Sequence, residues 1–194
     1  MKELIIASGN AHKIIEIQAI LGEEFKVKGL KDLDIKIDIV EDGKTYKENA
    51  LIKARAIAKY YDSYVIADDS GLEIFSLPEI LGIYSARFMG EDTPYEERFK
   101  EIYRLLKDKD SSARFVCGIA LVTPDKKEYY VEGEIKGHIG KTSGVKGFGY
   151  DPIFYPEGYE CTTADISSEE KNKISHRGRA LEKLKELLKE LNND

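Results

Sequence analysis

The chain has 194 residues, 42% of them hydrophobic and 34% charged, which suits one domain over residues 1–194, in two lobes, with a real core. The 30 basic and 36 acidic side chains leave a net charge of −6. That excludes a general nucleic-acid-coating protein, which needs a basic face, but not a small polyanion held by a local cationic pocket or a metal. No apolar run is long enough to span a membrane and no signal peptide precedes the first strand, so a cytoplasmic protein is expected. Two cysteines, Cys117 and Cys161, make neither a disulfide framework nor a zinc site.

The first strand is the apolar run Leu4-Ile5-Ile6-Ala7, and Ile14, Ile15, Ile17, Ile20 and Leu21 after it have the spacing of a helix face. Between them lies Ser8-Gly9-Asn10-Ala11-His12-Lys13. A strand emptying through a glycine turn into a helix N-terminus presents free N–H groups and a positive dipole end, which suit an anion. Asn10 can cap the helix and Lys13 adds a mobile positive charge. An ordinary Asn-capped βα turn has the same sequence, and the Walker A spacing is absent.

Thr45-Tyr46-Lys47-Glu48 is a capping box that opens a second helix, with Ala50, Ala54, Ile57, Ala58 and Tyr61 as its core stripe. A strand at Tyr64-Val65-Ile66-Ala67 ends in Asp68-Asp69-Ser70-Gly71. A third helix starts at Thr93-Pro94-Tyr95-Glu96, with Pro at its first position. Arg114 to Val122 and Glu128 to Ile139 read as two antiparallel strands around a turn at Pro124-Asp125, with Cys117 as a core thiol. Ser167-Ser168-Glu169-Glu170 opens a short helical turn. The last helix carries Leu181, Leu184, Leu188 and Leu191 on a face that packs on the body. The order is β-α-β-α-β, then a helix, a hairpin and a helical C-terminus: a mixed α/β fold.

Adjacent strand residues point to opposite faces, so Asp68 and Asp69 do not share a site, and parity alone does not choose between them. Either carboxylate could hold a hard cation or take a proton from water, or both could simply cap a turn. Glu41-Asp42-Gly43 reads as a solvated turn. Folded beside Asp69, Glu41 would complete a Mg²⁺ pair. Gly147-Phe148-Gly149-Tyr150-Asp151-Pro152 could hold an aromatic ring against a flat ligand, with Phe148 stacking on a base and Asp151 accepting from a ring N–H. Lys171, Ser175, His176 and Arg177 offer cationic and N–H donors at the entry to the last helix. No second histidine stands at ligand spacing from His176.

Together these segments resemble the inosine triphosphate pyrophosphatase family, also called the Ham1 or non-canonical purine NTP pyrophosphatase family, in its bacterial branch. The resemblance runs over essentially the whole chain. It rests on Ser8 to Lys13, Glu48-Asn49-Ala50 with Lys53-Ala54, Ala67 to Leu72, Gly82-Ile83-Tyr84-Ser85-Ala86-Arg87, Gly147 to Pro152, and Glu170-Lys171 with Ile174 to Gly178. It implies Mg²⁺-dependent hydrolysis of ITP, dITP and XTP to the monophosphate and pyrophosphate. It also implies a homodimer and an elongated mixed sheet with flanking helices, in two lobes around a central nucleotide-binding cleft. By similarity, Ser8, Gly9, Asn10, Ala11, His12 and Lys13 hold the triphosphate. Asp69 is the catalytic base and a metal ligand, and Glu41 the other ligand. Ser70, Phe148, Gly149, Tyr150, Asp151, Lys171, His176 and Arg177 bind the nucleotide, and Lys53 reaches the phosphates. One segment departs from the family pattern: Leu77-Pro78-Glu79-Ile80-Leu81-Gly82 stands where small residues are usual, so a bulkier loop is expected.

Water would attack the α-phosphorus while donors from His176 or Arg177 favour a 6-oxo purine over adenine, a discrimination of roughly 10⁴ in a site built this way. Two other readings compete. A Maf-type pyrophosphatase shares the strand-loop-helix start but not the Phe148 and His176 segments. A nucleotide sensor that does not hydrolyse would have no use for Glu41 and Asp69 beside phosphates.

Overall fold

The computed structural model describes residues 2–193. Six strands, β1 (Lys2–Ile6), β2 (Phe25–Lys28), β3 (Tyr64–Ile74), β4 (Ser112–Val122), β5 (Glu128–Ile139) and β6 (Phe154–Pro156), form one sheet in the order β2-β1-β3-β4-β5-β6. β1 runs parallel to both β2 and β3, and β5 and β6 are antiparallel, so the sheet is mixed. The helices are α1 (Ala11–Leu21), α2 (Tyr46–Ala58), α3 (Tyr95–Leu106), α4 (Ser168–Ile174) and α5 (His176–Asn193). None of them, among the described residues, is long and apolar enough to cross a membrane.

The chain forms two compact units. The first comprises residues 2–69, 117–133 and 177–193. Its β1 and its part of β3 are buried on both faces, as parallel strands covered by helices must be. Leu4, Ile6, Ile66, Ile119 and Leu121 pack with Ile17 of α1 and Leu181, Leu184 and Leu188 of α5. Ile5, Ala7, Val65, Ala67, Ala120 and Val122 pack with Ala50, Ala54 and Ile57 of α2. α1 and α5 therefore cover one face and α2 the other. Cys117 lies in the first of these clusters, and burial pushes its thiol up to about 12.

Local signals set the helix starts. Asn10 caps α1 by accepting from the His12 and Lys13 amides at 3.0 and 3.3 Å. Thr45 caps α2 by accepting from Glu48 N at 3.1 Å, while the Glu48 carboxylate reaches back to Lys44 N at 2.6 Å. The expected cap of α3 is corrected: Thr93 Oγ1 donates to the Met89 carbonyl, Pro94 takes the capping position without a side-chain bond, and the helix begins at Tyr95.

The second unit comprises Ser70–Val116 and Glu134–His176. Its core gathers Leu72, Ile74, Phe99, Ile102, Phe115, Ile139, Tyr150 and Phe154. The end of β3 departs from the sequence reading, because Asp68 to Gly71 form no turn. The strand runs through them to Ile74, since Leu72 and Ile74 carry the buried alternation onward. Gly71 is required there: a Cβ would lie 2.0 Å from the Gly82 carbonyl oxygen. The bulky residues of the 77–82 loop point inward. Leu77 and Leu81 are buried in the second core, and Leu81 takes φ +66° to reach it, a conformation a branched side chain rarely adopts.

Candidate active site

Strand parity separates the two aspartates. Asp68 follows Ile66 toward α1 and α5, and Asp69 follows Val65 and Ala67 toward α2. Asp68 is 2% exposed and meets Lys13 Nζ of α1 at 3.1 Å and Arg177 Nη2 of α5 at 3.3 Å. Arg177 Nη1 continues to Glu16 at 2.5 Å. Burial alone would raise the Asp68 carboxyl, but Lys13, Arg177 and Lys53 outweigh it and hold the group well below the usual carboxylate range. Its Oδ1 is buried with no hydrogen-bond partner.

Asp69 is in the opposite electrostatic state. Burial pushes it up to about 6, and the nearby Glu41 charge adds to this, against the pull of Lys53 and the hydrogen bond from Asn49. Asn49 Nδ2 donates to Asp69 Oδ2 at 3.2 Å, and Asn49 Oδ1 accepts from Gly43 N at 2.8 Å. One buried amide thus ties the Glu41-Asp42-Gly43 turn to the acid. Lys53, one turn further along α2, places Nζ 2.8 Å from Glu41 Oε1 and 2.5 Å from the Asp68 carbonyl oxygen. Burial pulls its pKa down, but Asp68 and Glu41 outweigh that, and it ends above the ordinary lysine value.

The loop before α1 is largely exposed at Gly9 to His12. Two features differ from the sequence reading. The His12 and Lys13 amides are taken up by the Asn10 cap rather than left free, and Ser8 Oγ accepts from Asn10 N at 3.1 Å. Lys13 is not a mobile charge but an ion-paired one, its side chain 17% exposed.

The remaining candidates lie in the second unit, except Arg177. Asp151 is buried and engaged at both oxygens. Oδ1 accepts from Thr163 Oγ1 at 2.9 Å, and Oδ2 from Phe148 N at 2.9 Å and Lys171 Nζ at 2.7 Å. The Lys171 ammonium also lies 4.8 Å from the half-buried Phe148 ring. Gly147 and Gly149 both have positive φ, and a Cβ on Gly147 would strike Asp151 Oδ2 at 2.1 Å. This carboxylate therefore shapes the Phe148 loop. The Tyr150 hydroxyl donates to the Ser85 carbonyl at 2.5 Å. His176 is buried and stacks on Phe115, with centroids 4.8 Å apart and planes 14° from parallel. Ser70 is half-buried on β3.

Sequence reasoning assigned no role to Asn49, Glu16, Thr163 or Arg98. Asn49 had a signal, since it lies four residues before Lys53 on one helix face. Arg98 had none. Its buried guanidinium donates to the carbonyls of Ser85, Ala86, Gly90 and Glu91 and so pins the 85–91 loop.

Among the described residues no three His, Cys, Asp or Glu side chains gather into a metal cage. The Glu41 carboxylate and the Asp68 main-chain carbonyl around the Lys53 ammonium are hard oxygens already holding a cation, and Asn49 ties the Asp69 carboxylate to the same turn. That suits Mg²⁺, which uses one or two protein carboxylates and completes its shell with water and phosphate.

The family model described as the Ham1 family matches residues 4–187. A dITP/XTP pyrophosphatase of Clostridium perfringens is 46% identical over 200 residues, covering 97% of this chain and 98% of that relative. One of Bacillus subtilis is 42% identical over 193 residues, covering 97% and 98%. Among solved structures, the Staphylococcus aureus Ham1 protein aligns with a TM-score of 0.86 at 41% identity, covering 97% and 98% of the two chains. A HAM1 protein from Coxiella burnetii aligns at 0.88 and 39%, covering 98% and 100%.

Proposed function

The chain belongs to the Ham1 family, and we propose that it hydrolyses ITP, dITP and XTP to the monophosphate and pyrophosphate with Mg²⁺, clearing them from the nucleotide pool. The observation that carries this reading is the placement of Asp69, a buried carboxylate on β3 that Asn49 ties to the Glu41-Asp42-Gly43 turn, with Lys53 of the same helix ion-paired to Glu41. Burial shifts its carboxyl upward from the ordinary value, the direction that suits a base. Relatives of this length and similarity are dITP/XTP pyrophosphatases.

Asp69 positions the attacking water against the α-phosphorus and accepts its proton at a carboxylate oxygen. Asn49 holds that carboxylate in place. Glu41 and Asp69 would hold Mg²⁺, which supplies charge neutralisation at the phosphates when bound. The Ser8–Lys13 loop receives the triphosphate, and Lys13, ion-paired to Asp68, stabilises charge on the departing pyrophosphate. Arg177, committed to Asp68 and Glu16, fixes the carboxylate that orients Lys13. Phe148, backed by Lys171 and Asp151, offers a face to the purine, and Ser70 and His176 complete the nucleotide contacts.

The test is pyrophosphate release from ITP, XTP, GTP, ATP and dTTP, each with Mg²⁺ and with EDTA. Fast release from ITP and XTP only, abolished by EDTA, is the expected result. Release from dTTP alone would move the chain to the Maf-type reading, and binding without product to the sensor. The same reading carries a cytoplasmic homodimer, which light scattering of the purified protein and fractionation of cells check.

A further inference from the structure

Lys53 is placed oddly for a residue whose task is to meet a phosphate. Its side chain is only 12% exposed, and its ammonium faces the Glu41 carboxylate and the Asp68 carbonyl, within the fields of Asp68 and Asp69. These oxygens are of the kind a hard divalent cation takes. Asn49 and Lys53 act from one face of α2: the first ties Asp69 to the Glu41 turn, and the second neutralises what is thereby crowded. Without a cation there, the Glu41 and Asp69 charges would repel one another uncompensated.

We propose that Lys53 is the cation of the metal-free site. Its ammonium and Mg²⁺ compete for the Glu41 carboxylate and the Asp68 carbonyl oxygen, and metal loading turns Lys53 outward to meet an incoming phosphate. The inference rests on Glu41 and Asp69 being the metal pair proposed above. It makes metal and triphosphate binding mutually reinforcing. Metal alone must evict Lys53, whereas metal with nucleotide gives the evicted ammonium a new partner. The linkage is reciprocal, so Mg²⁺ tightens nucleotide binding by the same factor.

Mg²⁺ binding to the nucleotide-free protein, measured by calorimetry, tests it without any activity readout. Lys53→Met keeps the apolar stem and removes the charge. It should bind Mg²⁺ at least about tenfold more tightly than wild type, the low end of what one neighbouring charge does to an ionic equilibrium. Lys53→Arg keeps the charge and should bind no more tightly than wild type. Unchanged or weaker affinity in Lys53→Met, or equal tightening in both variants, overturns the proposal. Should Lys53→Met fail to fold, the wild-type Lys53 ε-methylene NMR signal decides, because it must move saturably as Mg²⁺ is added. A signal that stays still while Mg²⁺ binds overturns the proposal. Glu41→Gln separates the two levels. Loss of Mg²⁺ binding in that variant upholds the metal pair whatever Lys53 does, and wild-type affinity removes the pair itself.

Discussion

Asp69→Asn should abolish turnover and, in the same molecule, raise stability. The side chain is 7% exposed, and its pKa stands at about 6 against an ordinary value of 3.8. An acid whose pKa is raised on folding binds its proton more tightly in the folded state. Its ionisation therefore costs nothing below pH 3.8, costs progressively more as pH rises through the window to about 6, and costs its full amount above that. The gap corresponds to about 3 kcal/mol. Asparagine keeps the shape and can still bond to Asn49, so most of that should be recovered at pH 7.5. For a chain of this size the melting temperature should rise by roughly 6–12 °C. At pH 5, inside the window, the gain should fall to about half. The assay is thermal unfolding of both proteins without divalent metal at pH 7.5 and pH 5, with ITP turnover measured in parallel. Added Mg²⁺ should narrow the difference by stabilising wild type alone. A variant that melts no higher than wild type at pH 7.5, or by the same margin at both pH values, would refute the burial argument. Near-normal turnover would remove Asp69 as the base.

Gly71→Ala should lose about 3 kcal/mol or more, because its Cβ would meet the Gly82 carbonyl at 2.0 Å, where only backbone can move; urea unfolding measures it. Lys171→Met strands the Asp151 carboxylate, which is 5% exposed beside a lysine that is 7% exposed. About 3–5 kcal/mol should be lost on urea unfolding, and KM for ITP should rise more than kcat falls, as the Phe148 loop loosens. Iodoacetamide at pH 8 should label Cys161 and spare Cys117, whose buried thiol lies at about 12; mass spectrometry of the native protein reads the ratio.

Much of the fold was legible because its signals are local. Asn10, Thr45 and Ser167 cap the helices their spacing announces. The leucine face of α5 packs where its period requires, with Leu181, Leu184 and Leu188 buried. The end of β3 was misread for an equally local reason: Asp-Asp-Ser-Gly is turn chemistry by composition. What anchors it as strand lies further along the chain, where Ser85 Oγ accepts from Leu72 N and the Gly82 carbonyl packs where a side chain on Gly71 would be. Arg98 was unreadable for the same cause. An arginine on a charged helix announces nothing until the chain brings four carbonyls around it.

The two aspartates show how far a sequence can specify chemistry. Asp68 and Asp69 are the same residue, adjacent on one strand, both buried. Parity sends one between Lys13 and Arg177, where it is locked as an anion, and the other to the α2 face, where burial and the nearby Glu41 charge outweigh Lys53 and the Asn49 hydrogen bond and push it up to about 6. The difference lies in what α1, α5 and α2 present to the two faces of β3, two cations ion-paired to Asp68 on one side and an amide beside a lysine committed to Glu41 on the other. Exchanging those neighbours would exchange the two acids' properties with the aspartates untouched. The partner helices, more than the Asp-Asp dipeptide, therefore decide which carboxylate can serve as a base.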